Sequence, residues 1–406
     1  MVGLRRTRLV VLIAVALVVN AVTAADAAVV NVRALGAKGD GRTDDTAAFA
    51  AAWKQACGAT GKSTITVGKG EYLVTRIDFN GPCKGPVTVE LLGNLKAPAE
   101  VTKTEAHGGW VNFGNLVDFT LNGHGSILDG QGALAWKKND CAKTGKCNNL
   151  PINVRFTGLT NSRIRSITSS NSKLFHMNIL NCKNITLEDI GIDAPPESLN
   201  TDGIHIGRSN GVNLLGAHVR TGDDCVSIGD GSENLVIENV RCGPGHGIAI
   251  GSLGRYPNEQ PVRGVHVRHC TISNTMNGVR IKTWPASPAG IASNLHFEDI
   301  VMENVGTPIL VDQEYCPYNH CKRGSPSMVK ISDVSFKNIR GTSSTKTAVK
   351  LVCSKGVPCS KVELSDINLT YNGKDGPAVS ECANVKPILS GKIIPAACTA
   401  PHKPLA

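Results

Sequence analysis

Aromatic residues make up only 4% of this 406-residue chain, and no basic run is interleaved with them. A surface that stacks nucleic-acid bases is therefore not expected. None of the 14 cysteines forms a CxxC pair, so structural zinc is a poor fit, and no HExxH motif points to a zinc hydrolase. Gly36, Gly39 and Gly41 do not make GxGxxG and no strand–helix–strand unit follows them, which argues against a nucleotide. Long amphipathic helices are nearly absent. The one long apolar run, "LVVLIAVALVV", has 11 residues, against the roughly 20 needed to cross a bilayer.

That run sits behind Arg5, Arg6 and Arg8 and ahead of "AADAA". Charged start, apolar middle and small-residue end describe a secretory leader over residues 1–27, leaving 28–406 as one mature, secreted domain with no membrane partner. Fourteen cysteines suit an oxidising compartment. Cys141/Cys147, Cys316/Cys321, Cys353/Cys359 and Cys382/Cys398 lie close enough in sequence for small disulfide loops. Asn184-Ile185-Thr186 and Asn368-Leu369-Thr370 are glycosylation sequons. The formal charge is +10, and removing three arginines and Asp26 with the leader leaves +8. Nucleic acid, anionic membrane and acidic polysaccharide all attract such a protein, and charge alone does not choose among them.

Abundant glycine (43 residues) and short β-branched runs between Gly, Asn, Asp and Ser favour an all-β chain. The pattern apolar-x-apolar-x-x-apolar-x-apolar recurs at Ile185/Leu187/Ile190/Ile192, Val212/Leu214/Ala217/Val219, Leu235/Ile237/Val240/Cys242, Val265/Val267/Cys270/Ile272, Leu295/Phe297/Ile300/Met302 and Val362/Leu364/Ile367/Leu369. Val334/Phe336/Ile339 fits in three places of four. A unit of 23 to 39 residues that cannot bury its own apolar face must stack on its neighbours. Short strands joined by turns at that period describe the coils of a parallel β-helix. Upstream, "GDGRTDDTAAFAAAWKQACG" reads as a turn and a short helix starting around Thr43–Thr46 and ending near Cys57-Gly58, suited to covering the first coil's open edge.

Coil arithmetic then collects polar residues. Asp202, Asp224 and His246 are each 22 residues apart, and residues one turn apart stack about 5 Å from each other. Asp223 adjoins Asp224, and Arg280 and Lys282 follow one longer coil later on one strand face. Stacked acids repel, and catalysis is the usual reason to keep them. Clustered carboxyls have their pKa values driven apart, which is the division that glycoside hydrolysis needs between a proton donor and a partner for water. Arg280 and Lys282 would face an anionic sugar. A metal held by the same Asp and His residues is the alternative. Because "TGDDC" places two aspartates on what should be opposite strand faces, a strand end or bulge is expected there. His176 and His205 are expected to be structural.

"NTDGIH" (Asn200 to His205), "GDDC" (Gly222 to Cys225), "GPGHG" (Gly243 to Gly247) and "RIK" (Arg280 to Lys282) stand in the order and spacing of the polygalacturonases, glycoside hydrolase family 28, which the chain resembles. "LPINVRF", "IGRSNGV", "SLGRYPNE" and "RIKTWPASP" look most like the plant pollen exopolygalacturonases. The resemblance implies a right-handed parallel β-helix that hydrolyses α-1,4 bonds of polygalacturonate with inversion, without metal or cofactor, as a monomer in the cell wall, and exo-acting from the non-reducing end. By motif position, Asp223 would be the general acid, Asp202 and Asp224 would activate water, and His246 would support the acid. Arg280 and Lys282 would hold the substrate carboxylate, Tyr315 in "DQEYC" would contact the sugar, and Asn200 would line the site. Leu199 stands where many relatives have proline, which would loosen the approach to Asn200. An endo-acting enzyme, a pectin-binding wall protein without turnover and a calcium-dependent lyase on a similar fold are the competing readings.

Overall fold

The computed structural model describes residues 28–101, 108–139, 150–322, 324–398 and 400–401. Among these, the strands form two parallel sheets of 16 and 12 strands, and in each sheet a strand pairs with its counterpart one coil earlier and one coil later. The chain winds into a parallel β-helix, as the repeat predicts, and it is right-handed, as the resemblance implies. The expected leader (1–27) and the Cys141/Cys147 pair lie outside the described residues.

The apolar repeat is the interior of this helix. Ile185, Val212, Leu235, Val265, Leu295, Val334 and Val362 are joined in register across successive coils, and so are Ile190, Ala217 and Val240. All of the repeat's apolar positions are buried. The two-residue gap inside each unit has a backbone cause. Asp189, Asn239, His269, Asp299, Asn338 and Asp366 adopt φ between 48° and 58°, and Gly216 does the same at 74°. One left-handed residue per coil bends the long strand and returns the side chains on both sides of the bend to the interior. Asn and Asp tolerate that conformation best among residues other than glycine. Exposed asparagines at such turns also bond coil to coil, as Asn184 Nδ2 does to Asn161 Oδ1 at 2.9 Å and Asn304 Nδ2 to Asn274 Oδ1 at 2.9 Å.

The few aromatic side chains are concentrated inside. Phe79, Phe113 and Phe156 are register partners on three successive coils, with ring centroids 5.3 Å apart at each step. Trp53 stacks on the end of this column at 4.7 Å from Phe79. It belongs to helix α1 (Thr46–Gly58), which buries Ala48, Phe49, Ala52, Trp53 and Ala56 against the first coils. The expected cap is thus present. Asp45 at its N-terminus does not cap it in the usual way; its buried carboxylate accepts from the Lys38 and Gly39 N–H groups at 2.6 and 3.0 Å and closes the preceding turn.

The disulfides Cys316–Cys321, Cys353–Cys359 and Cys382–Cys398 form as their spacing suggests. Among the described residues, two others join cysteines that the sequence reading leaves unpaired, 26 and 17 residues apart. Cys57–Cys83 ties α1 to an early coil, and Cys225–Cys242 fixes the corner that follows Asp224. Cys182 and Cys270 are free, buried and packed as small apolar residues.

Ile237 sits in the centre of an interior column, between Leu214 and Val267. Replacing it with alanine is expected to cost about 2–5 kcal/mol, since packed coils cannot collapse around the void. The check is a lowered urea midpoint with little change in the slope of the transition.

Candidate active site

"TGDDC" forms a corner. The strand Asn210–Arg220 of one sheet ends before it and Val226–Ile228 of the other begins after it, so the expected strand end is found and no flat strand runs through the two aspartates. Gly222 has a steric task rather than a torsional one. A Cβ there would lie 1.9 Å from the Ser198 carbonyl oxygen, because the corner presses against the turn of the previous coil. A hydroxyl network braces the same contact: Thr201 Oγ1 is 2.7 Å from Ser198 Oγ and 2.8 Å from Thr221 Oγ1, and it accepts from the Gly222 N–H at 3.1 Å. Leu199 therefore sits in a turn already tied at both ends.

The coil arithmetic holds at the atomic level. Ile204, Val226 and Ile248 are register partners on three coils. Just ahead of them the Gly203 N–H donates to the Asp224 carbonyl, the Cys225 N–H to Gly247, and the His246 N–H to Asp223, each at 2.8 Å. Asp202, Asp224 and His246 are thereby stacked, with Asp223 beside them. Arg280 follows Ser227 and Ala249 in one column. The small Ala249 side chain leaves the guanidinium a path back over the intervening coil.

Each carboxyl has a different environment. Asp224 is nearly inaccessible and is gripped by both cations: Arg280 Nη2 bonds its Oδ1, and Lys282 Nζ lies 2.7 Å from its Oδ2. Burial alone would raise its pKa, but the Arg280 and Lys282 charges override that and hold it below the usual carboxylate value. Asp202 is also buried, and its Oδ2 accepts from the Ser227 hydroxyl at 2.8 Å. Burial first, then the charges of Asp223 and Asp224, push it well above the ordinary range. Asp223 is the most open of the three, with 21% of its side chain exposed. Its Oδ1 lies 2.9 Å from His246 Nδ1 and accepts the Asp224 N–H at 2.9 Å. Its Oδ2 has no partner among the described residues and remains free for the cleft.

The cations stand differently from the expectation that they would simply face a sugar. Arg280 and Lys282 are directed at Asp224 because an unpaired buried carboxylate would be far costlier than a paired one. Each uses one N–H in doing so, which leaves further donors. Tyr315 joins the group, with Lys282 Nζ 5.2 Å from its ring centroid and Trp284 edge-on at 5.8 Å. Burial pushes its phenol up to about 12. Asn200 occupies a left-handed turn at φ 55° next to Thr201, and its buried Oδ1 has no partner.

His176 is wholly buried, held at Nδ1 by Ser169 at 3.0 Å, and burial lowers it to about 3. His205 lines the site beside Ser227. Ser227, Ala249 and Trp284 were not singled out in the sequence, although the 22-residue step from His205 leads to the first and then the second.

Asp223, Asp224 and His246 are the one group among the described residues whose ligand atoms fall within 4.8 Å of one another, as a metal site requires. Their chemistry does not favour a cation. Asp224 already has an arginine and a lysine on its two oxygens, and Asp223 and His246 are bonded to each other.

The sequence profile of the Glycosyl hydrolases family 28 matches residues 57–398. An exopolygalacturonase from Arabidopsis thaliana is 74% identical over 93% of this chain and 84% of its own length. One from Oenothera organensis is 55% identical, covering 88% of this chain and 98% of its own length. A polygalacturonase from Gossypium hirsutum is 52% identical over 90% of this chain and 89% of its length. Among solved structures, endo-xylogalacturonan hydrolase from Aspergillus tubingensis superposes with a TM-score of 0.78 at 22% identity, over 91% of this chain and all of that one. The hyperthermoactive exopolygalacturonase from Thermotoga maritima gives 0.66 at 20% identity, over 84% and 88%.

The raised Asp202 makes a signed prediction. Its folded pKa exceeds the unfolded value near 3.8, so ionisation opposes folding above that value and has no effect below it, where both states are protonated. Asp202→Asn should therefore raise Tm at pH 7 and lose this advantage as pH falls toward 4. Thermal scans across that range read it directly.

Proposed function

The chain belongs to the glycosyl hydrolases family 28, and from that membership we propose that it is a secreted, exo-acting polygalacturonase that releases galacturonic acid from the non-reducing end of pectin's polygalacturonate. The observation that carries the chemistry is the unequal treatment of three adjacent carboxyls. Asp223 has two donors on Oδ1 and a free Oδ2, the arrangement of an acid that presents its proton to the leaving glycosidic oxygen. His246 orients it. Asp202, with Oδ1 free of hydrogen bonds among the described residues, takes the proton of the attacking water. Asp224, held ionised, helps order that water. Water arrives on the face opposite the leaving oxygen and the configuration inverts in one displacement.

Arg280 and Lys282 serve twice in this reading. They neutralise Asp224, and their remaining N–H groups meet the carboxylate of the bound galacturonate, beside Tyr315 and Asn200. Two cations set against the acids of the site offset the negative charge that would otherwise repel an anionic sugar.

Exo action is supported by the relatives of this chain that carry that name. Secretion is supported by the leader-like sequence from Arg5 to "AADAA" and by five disulfides among the described residues. Residues 28–406 form one catalytic domain acting as a monomer on the cell wall, and Asn184 and Asn368 are both exposed for glycosylation.

Asp223→Asn is expected to lower kcat by about 10²–10⁴-fold, the usual worth of a positioned acid. An undiminished rate would remove Asp223 from that role. Product analysis decides the mode: galacturonic acid alone from the first time point means exo action, and mixed oligomers mean endo action.

A further inference from the structure

We propose that His205 and Ser227 form a positioning relay, a chain of hydrogen-bond donors running from the His205 imidazole through the Ser227 hydroxyl to Asp202, which keeps that carboxyl ready to receive the proton of the attacking water. The inference rests on the reading of Asp202 as base. Ser227 is in register with His205 one coil earlier, and two bonds of equal length connect the three groups: Ser227 Oγ to Asp202 Oδ2 at 2.8 Å and His205 Nδ1 to Ser227 Oγ at 2.8 Å.

The direction of the chain follows from proton count. The Ser227 hydroxyl has one hydrogen, and an ionised Asp202 can only accept, so the hydrogen is committed to Asp202. Ser227 therefore accepts from His205, which fixes the imidazole as its Nδ1–H tautomer. A neutral ring is what the surroundings favour, since burial pulls His205 down to about 4. Phe175 packs against it at 5.4 Å between centroids. Gly207 and Gly229 lie against its other nitrogen, where a Cβ would come within 3.5 and 3.3 Å of Nε2. Phe175 and the Ser227 hydroxyl thus fix the ring, and the two glycines leave room beside Nε2.

Asp202 needs such help. Burial and the charges of Asp223 and Asp224 oppose its ionisation, while Lys282 and the Ser227 hydrogen bond favour it. Lys282 is already bound to Asp224. Among the described residues, Ser227 is the one hydrogen-bond donor to the Asp202 side chain. The charges of Asp224 and Asp230 favour a protonated His205 and that of Lys282 opposes it, and the coil before contributes Asn178, its register partner, and the neutral His176. Ser227 itself is buried, so it acts through Asp202 and does not touch the sugar.

The test is the pH dependence of kcat/KM for oligogalacturonate hydrolysis by the full-length enzyme. A donor to the ionised form lowers the pKa of a base, so removing it raises that pKa and the base is lost at higher pH. Ser227→Ala should move the acidic limb upward by about one pH unit, giving a roughly tenfold loss at low pH that closes as pH rises. KM should change little. Ser227→Thr, which retains the hydroxyl, should leave the limb in place. His205→Ala should shift it in the same direction by less, and the double variant no further than Ser227→Ala, because the groups act in series. A loss in Ser227→Ala that is equal at every pH, no loss, or additive effects in the double variant would overturn the relay. Asp202→Asn separates the two readings. If it is inactive while Ser227→Ala shows a pH-independent loss, only the relay fails; if it remains active, the base assignment itself fails.

Discussion

Parallel pairing in register, coil after coil, is the constraint on which everything else in this molecule depends. A hydrogen-bonded ladder about 4.8 Å per step turns a 22-residue sequence interval into direct stacking. It aligns the interior Ile, Leu and Val columns, and it brings Asp202, Asp224 and His246 together from three coils. Any insertion within one of these coils would have to leave the ladder undisturbed. The longer interval between Ile248 and Val279 does so by placing most of its extra residues at 254–261, between the strands Ile248–Leu253 and Val262–Ser273. The same regularity lets few aromatic residues go far, because ring stacks on ring along a single column.

The ladder also creates the electrostatic difficulty that the site resolves. Stacking places like charges at one strand spacing, and three neighbouring carboxyls cannot all remain ionised in a buried setting. Two cations from a later coil bind the innermost, a histidine and a backbone N–H bind the outermost, and a serine binds the third. Three chemically identical side chains thereby acquire three characters. A fold built on repetition produces asymmetry here only because the side chains at equivalent positions differ: Asp202, Asp224 and His246 in one column, and His205, Ser227, Ala249 and Arg280 in another.

Rigid surroundings hold this arrangement. Cys225–Cys242 pins the corner on one side, and the hydroxyl network of Ser198, Thr201 and Thr221 pins it on the other. Gly222 allows the two turns to meet where any side chain would strike a carbonyl oxygen. The carboxyls thus remain close together despite their repulsion, and the stability of the packed coils bears that cost.

The sequence by itself determined the architecture, because a period-two apolar pattern broken at a fixed place and repeated seven times is compatible with little besides a stacked coil. It also determined which acids share a face, since coil length converts directly to position, and the ordered motifs named the family. Close cysteine pairs were legible for the same reason: short loops leave few partners. Tertiary structure alone decided what each residue does to its neighbours. Nothing in the spacing of Arg280 and Lys282 says that they reach back to Asp224, because long flexible side chains do not follow the ladder. Nothing in "GDDC" says that Gly222 is needed for a contact with Ser198, or that Cys225 pairs with Cys242. Ser227 was invisible as a single hydroxyl in a strand, and only its position between His205 and Asp202 gives it meaning. Sequence periodicity carries backbone geometry, whereas protonation and polarity at a site depend on distances of a few ångströms between side chains from different coils.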